Sequence, residues 1–281
     1  MNRKGLLTLF VYFFSGFLFL AAQSSEAEAS ATKGFESSGR PRIFAVCVGV
    51  AKYKLGGSPN QVSNLNFTDD DAYRMYAFLK SCKGGCVDDD NIAVLVDEAA
   101  TKKNILETMD KIFSKAGPDD MLWFYFSGHG GQEGFLCPYD MDGNDLNTFL
   151  MYDEVKAAFK KHPARYKVVF LDACHSGTIF SQRPPQNSSV NQSSANTSVL
   201  LMVSSLPSEF SQEEPRLRQG VFTYYMLKGL KGAADRDNNA VVTLEELFPY
   251  VKANVLNFTQ NKQTPFIEGN ASRQMPLSSL K

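Results

Sequence analysis

Residues 121–131 read MLWFYFSGHGG and residues 168–177 read VVFLDACHSG. Each stretch opens with an uninterrupted run of large apolar residues, as expected of a strand covered on both faces. Each then breaks abruptly into small and polar residues. Outward from this pair, IFAVCVGV at 43–50, IAVLV at 92–96 and VLLMV at 199–203 repeat the strand signature. Amphipathic segments lie between them. Asp70 to Leu79 places Ala72, Met75, Tyr76 and Leu79 at helical spacing, and Thr101 can cap a helix carrying Ile105, Leu106, Met109, Ile112 and Phe113 on one side. Val155, Ala158 and Phe159 suggest a third helix, with two more near 222–230 and 244–255. Strands alternating with amphipathic helices predict an α/β fold with a mostly parallel central sheet and helices on both faces.

In an open parallel sheet all strand C-terminal ends share one edge, where ligands bind. The two glycine-bounded motifs both close core strands, so His129 and Cys174, about 45 residues apart, are expected to meet there. A thiol reacts as thiolate, and a neighbouring imidazole can take its proton and return it to a leaving group. Cys174 is therefore the candidate nucleophile and His129 the candidate base. The backbone N–H groups of Gly130 and Cys174 are candidates for an oxyanion hole. Of the other histidines, His175 adjoins Cys174 and would project elsewhere, and His162, before Pro163 at a basic helix end, reads as surface.

These residues carry a resemblance. SGHGG followed by DACHSG resembles the caspase and metacaspase superfamily, and the His-Ser after the cysteine is closer to metacaspases than to true caspases. The similarity extends over residues 41–281, including GVFTYYMLKGL at 220–230 and QTPFIEG at 263–269. It implies a caspase-like fold and a cysteine endopeptidase acting through a thioester on protein or peptide substrates, with no required cofactor. It also implies that Asp172 and Asp71 line the primary specificity pocket, favouring Arg or Lys at P1. AKYKLGGS at 51–58 lacks the arginine motif with which true caspases bind Asp. An inactive scaffold with the same fold, or a transamidase in which an amine replaces water, are the competing expectations.

Many metacaspases carry a calcium-binding acidic cluster. Here Asp140 and Asp153 match it, but Tyr152 and Ser181 replace two of its acids. A separate calcium candidate is Asp235, Asp237, Asn239, Val241, Thr243 and Glu246, at positions 1, 3, 5, 7, 9 and 12 of an EF-hand-like loop. Ala240 holds the usual glycine position, and Thr243 with Glu246 also reads as a helix capping box.

The 281 residues carry 29 Lys+Arg against 30 Asp+Glu with no basic run, which argues against nucleic acid as a partner. Arg3 and Lys4 precede an apolar run from Leu6 to Ala22 and an Ala-x-Ala triplet at 27–29. Residues 1–29 thus read as a secretory signal peptide, placing the protein in a secreted, lumenal or periplasmic location, or as an uncleaved anchor that would hold it to a membrane. A polar leader (30–40), a large-subunit-like part (41–180), a disordered linker (181–198) and a small-subunit-like part (199–281) follow. Arg183, the linker's lone basic residue, precedes Pro184, so self-cleavage there is expected to be inefficient. Five cysteines leave at least one unpaired. Cys82 with Cys86 suits a short-loop disulfide, and Cys47 with Cys137 could form a second, though four cysteines allow three connectivities.

Overall fold

The computed structural model describes residues 41–59, 61–131, 134–173, 199–206, 208–269 and 272–281. The signal, leader and linker segments expected at 1–40 and 181–198 lie outside the described residues. From Arg42 to Lys281 the chain forms one compact unit. Among the described residues no helix is long and apolar enough to cross a membrane.

Six strands make one sheet: β1 (Ile43–Gly49), β2 (Ile92–Val96), β3 (Met121–Gly128), β4 (Tyr166–Ala173), β5 (Leu200–Val203) and β6 (Phe266–Glu268). Their order is β6-β5-β4-β3-β1-β2, with β6 antiparallel at one edge and all other neighbours parallel. The post-linker strand β5 therefore extends the sheet begun before the linker.

Alternation along each strand sends successive side chains to opposite faces. On one face Val46, Phe124, Phe126, Val169 and Leu171 pack beneath α2 (Lys102–Phe113) and α3 (Tyr152–Lys160), through Ile105, Met109, Val155 and Phe159. On the other, Ala45, Cys47, Trp123, Tyr125 and Phe170 meet α1 (Thr68–Lys80), α4 (Val221–Lys228) and α5 (Leu244–Phe258), through Met75, Leu79, Phe222, Met226, Leu247 and Val251. Trp123, Phe124, Tyr125 and Phe126 are all 0% exposed. Burying each such large side chain stabilises by about 1.5–3 kcal/mol, which explains why the run has no polar face.

The helix ends follow local chemistry where the sequence supplies it. The Thr101 hydroxyl accepts the Asn104 N–H at 3.2 Å, and Thr243 and Glu246 form a capping box at the start of α5. Helix α4 stops at Lys228 and passes into a wide turn containing Gly232 at φ +120°. A side chain there would be strained, and Gly tolerates it.

Two cysteine expectations part company. Cys82 and Cys86 are joined by a disulfide, with Cα atoms 4.3 Å apart. Cys47 and Cys137 are both buried and are not bridged to each other. The expected second bridge is excluded because Cys47 belongs to the core on one side of the sheet and Cys137 to the core on the other. His162 is likewise not a surface residue. It is 9% exposed, packs edge-on against Phe113, and its carbonyl accepts the buried Lys167 ammonium at 2.7 Å.

Candidate active site

Strands β1, β3 and β4 run side by side and finish together. Gly49 pairs with Ser127, Ser127 with Asp172, and Gly128 with Ala173. His129 and Cys174 are the residues that directly follow this last pair. Cys174 itself, with His175, lies outside the described residues. The register thus shows that the strands leading to the two candidate catalytic residues end level on adjacent rows.

His129 is anchored at two atoms. Its backbone N–H donates to the Tyr53 hydroxyl at 2.8 Å, with the two rings 5.3 Å apart. Its Nε2 lies 2.9 Å from the Ser63 carbonyl oxygen, which can only accept. The neutral ring therefore carries its hydrogen on Nε2 and leaves Nδ1 as the basic nitrogen. Burial lowers the imidazole pKa below its ordinary 6.5, against smaller opposing effects of the Ser63 carbonyl and the Glu213 carboxylate. A neutral imidazole at physiological pH is the form that can act as a base. Gly128 is required just before it, since a Cβ there would sit 2.9 Å from the Phe126 ring and 3.1 Å from the Tyr53 hydroxyl.

Beside His129 opens a pocket lined in part by Leu65, Thr68, Ser127, Asp172, Gln212 and Glu213. Asp172 lines it, and the buried Asp71 lies close behind, with Gly220 against both carboxylates. Asp71, 0% exposed, accepts the Gly220 N–H at 2.9 Å, the Ser127 hydroxyl at 3.3 Å and the Gln219 amide at 3.4 Å. Asp172, 4% exposed, accepts the Thr223 N–H at 3.1 Å, the Thr223 hydroxyl at 2.7 Å and the Ser211 hydroxyl. Burial, and then repulsion from Asp172, hold the Asp71 carboxyl well above the usual carboxylate range, and burial also raises Asp172. Among the described residues no basic side chain pairs with either. Of the three consecutive acids opening α1, Asp71 is the one turned inward.

The caspase domain peptidase family matches residues 42–276 of the sequence. The chain belongs to the caspase domain family. A probable protease of a Desulfuromonadales bacterium is 25% identical over 242 residues, covering 70% of this chain and 29% of the relative. A metacaspase-1 of Kluyveromyces lactis is 29% identical over 155 residues, covering 48% of this chain and 35% of the relative. The chain thus spans about a third of the length of these curated relatives. The solved structure of pro-sf-caspase-1 superposes with a TM-score of 0.52 at 16% identity, covering 84% of this chain and 94% of that one.

In this caspase domain, the residues expected to match the calcium cluster have contacts of their own. The Asp140 carboxylate accepts the Lys102 N–H at 2.9 Å at the start of α2, Asp153 lies 3.6 Å from Lys156, and Tyr152 is buried. The EF-hand-like loop does converge. Carboxylate oxygens of Asp235, Asp237 and Glu246 lie within 4.8 Å of one another. Such hard oxygen donors suit calcium, but they also serve the loop itself. Asp235 accepts the Ala240 N–H at 3.1 Å, Asn239 Nδ2 donates to Asp237 at 2.9 Å, and Asn239 Oδ1 accepts the Val241 N–H at 2.7 Å. Glu246 accepts the Arg236 and Thr243 N–H groups at 3.0 Å each.

Several site residues have no sequence signal of their own. Tyr53, Ser63, Ser211 and Gln219 come from scattered segments, whereas Thr223 and Gln263 lie in the family-like segments 220–230 and 263–269. Gln263 is 0% exposed and ties the Gln212 N–H, the Ser204 carbonyl and the Ser211 hydroxyl together at 3.1 Å each. Ser127 stands inside a catalytic motif, as the first residue of SGHGG.

Proposed function

We propose that the protein is a cysteine endopeptidase that cleaves after Arg or Lys. What supports this reading is a pair of buried carboxylates with no basic partner among the described residues, Asp172 lining the pocket beside a neutral His129 and Asp71 close behind it across Gly220. Two like charges held together out of water are costly alone and favourable around a cation. An arginine or lysine side chain supplies that cation.

In the reaction, His129 Nδ1 takes the proton of the Cys174 thiol and the thiolate attacks the scissile carbonyl carbon. The Gly130 and Cys174 N–H groups hold the resulting oxyanion. The C–N bond breaks as His129 returns the proton to the departing amine, leaving a thioester. Water, deprotonated by His129, attacks the thioester, releasing the carboxylic acid and restoring the thiol.

Export from the cytosol follows from the apolar run Leu6–Ala22 with its Ala-x-Ala triplet, and the Cys82–Cys86 disulfide suits an oxidising compartment. The test is the full chain and its Cys174→Ala variant against peptides differing only in Arg, Lys, Asp or Asn at P1, with and without calcium. Cleavage after Arg and Lys, absent in the variant, is expected. Activity in the alanine variant refutes the nucleophile, preference for Asp refutes the acidic pocket, and amine-capped products assign transamidation.

A further inference from the structure

Helix α1 begins without a local cap. Phe67 stands at its N-cap position and contributes no side-chain hydrogen bond. A Ser or Asp at that position would serve. Instead a carboxylate arrives from 146 residues away: Glu213 Oε1 accepts the Phe67 N–H at 2.7 Å and the Asn66 N–H at 3.1 Å, while Oε2 accepts the Asn66 side-chain amide at 3.1 Å.

Both ends of this contact lead into the site. Ahead of Asn66 in the same loop, the Ser63 carbonyl sets the His129 ring, and the Leu65 N–H donates to the Ala51 carbonyl at 2.8 Å at the end of β1. Just beyond Phe67, α1 presents Asp71. On the other side, the Glu213 backbone pairs with Gly220, whose N–H donates to Asp71, and the neighbouring Ser211 donates to Asp172. One carboxylate thus joins the base's support, the helix bearing one pocket acid and the segment holding the other.

We propose that Glu213 is a positioning residue of the active site, clamping the loop that orients His129 and the helix start that carries Asp71 onto the segment that lines the specificity pocket. This rests on the peptidase reading above. A remote helix cap with no further role would affect stability alone, and that difference is measurable.

The variants are Glu213→Ala, Glu213→Gln, which keeps one carbonyl oxygen for the Phe67 N–H, and Glu213→Ala/Phe67→Ser, which supplies a local cap. In the full chain, Glu213→Ala is expected to lower kcat on an Arg peptide at least tenfold and to raise KM. Glu213→Gln should lose less kcat than Glu213→Ala, and Glu213→Ala/Phe67→Ser should recover thermal stability but not kcat. In a Cys174→Ala background, 15N spectra of the His129 ring should show the Nε2–H tautomer with Glu213 intact and in Glu213→Gln, and averaged tautomers in Glu213→Ala. A kcat within twofold and an unchanged tautomer in Glu213→Ala, or recovery of kcat together with stability in Glu213→Ala/Phe67→Ser, overturns the proposal. If Glu213→Ala does not fold, the other two variants decide. If the unaltered chain cleaves no basic peptide, the peptidase reading fails, and the histidine spectra decide the clamp separately.

Discussion

Replacing Asp71 by Asn removes one of the two pocket charges while keeping shape and an acceptor oxygen for the Gly220 N–H, 2.9 Å away. A hydrogen bond to a charged group is worth about 1.5–3 kcal/mol, which at about 1.4 kcal/mol per tenfold is roughly a ten- to hundredfold effect. The assay compares kcat/KM on two peptides identical except for arginine or its neutral isostere citrulline at P1. The ratio of arginine to citrulline should fall by about that factor in Asp71→Asn, with the citrulline peptide little changed. Stability gives an independent sign. Because burial and Asp172 raise the folded-state pKa of Asp71 well above 3.8, the native state binds the proton more tightly than the unfolded state. Stability is therefore lost as pH rises through the folded pKa, and Asp71→Asn should lose less over the same range. An unchanged arginine-to-citrulline ratio in a folded variant would refute the pocket assignment.

Further outcomes are expected elsewhere. Since burial lowers the His129 pKa from 6.5, kcat/KM should rise with pH along an acid limb whose midpoint lies below that value, a limb read from initial rates across pH. A midpoint above it would refute the lowering by burial. Gly220→Ala places a Cβ 2.3 Å from Asp172 Oδ2 and 3.0 Å from Asp71 Oδ2, so cleavage after Arg should fall at least tenfold, measured as kcat/KM. Calcium should raise the thermal midpoint of the full chain by a few degrees, as ligand linkage requires, and not that of Asp237→Asn. An unchanged midpoint assigns the 235–246 loop to capping of α5 alone.

Several features were fixed by local chemistry and could be read directly. MLWFYF and VVFL are apolar at every position because a parallel strand between two helical layers is covered on both faces. Glycine-bounded polar motifs at the ends of such strands must fall on one sheet edge, so the His129 and Cys174 motifs were readable together. The capping of α2 by Thr101 and of α5 by Thr243 and Glu246 needed only neighbours in the chain.

What pattern could not reach depended on residues distant in sequence. Asp69, Asp70 and Asp71 are adjacent and chemically alike, and only the packing of α1 against the sheet turns Asp71 inward. Cys47 and Cys137 looked like partners because composition does not record which face of a sheet a thiol occupies. Glu213 and Ser211 belong to a segment with no local signature, and meet α1 and Asp172 only after the chain has crossed the sheet. The sequence by itself determined the strands and the edge where the chemistry sits, since burial and period are local constraints. The tertiary structure decided which carboxylates share the pocket and what holds the histidine, since a buried charge depends on everything folded around it.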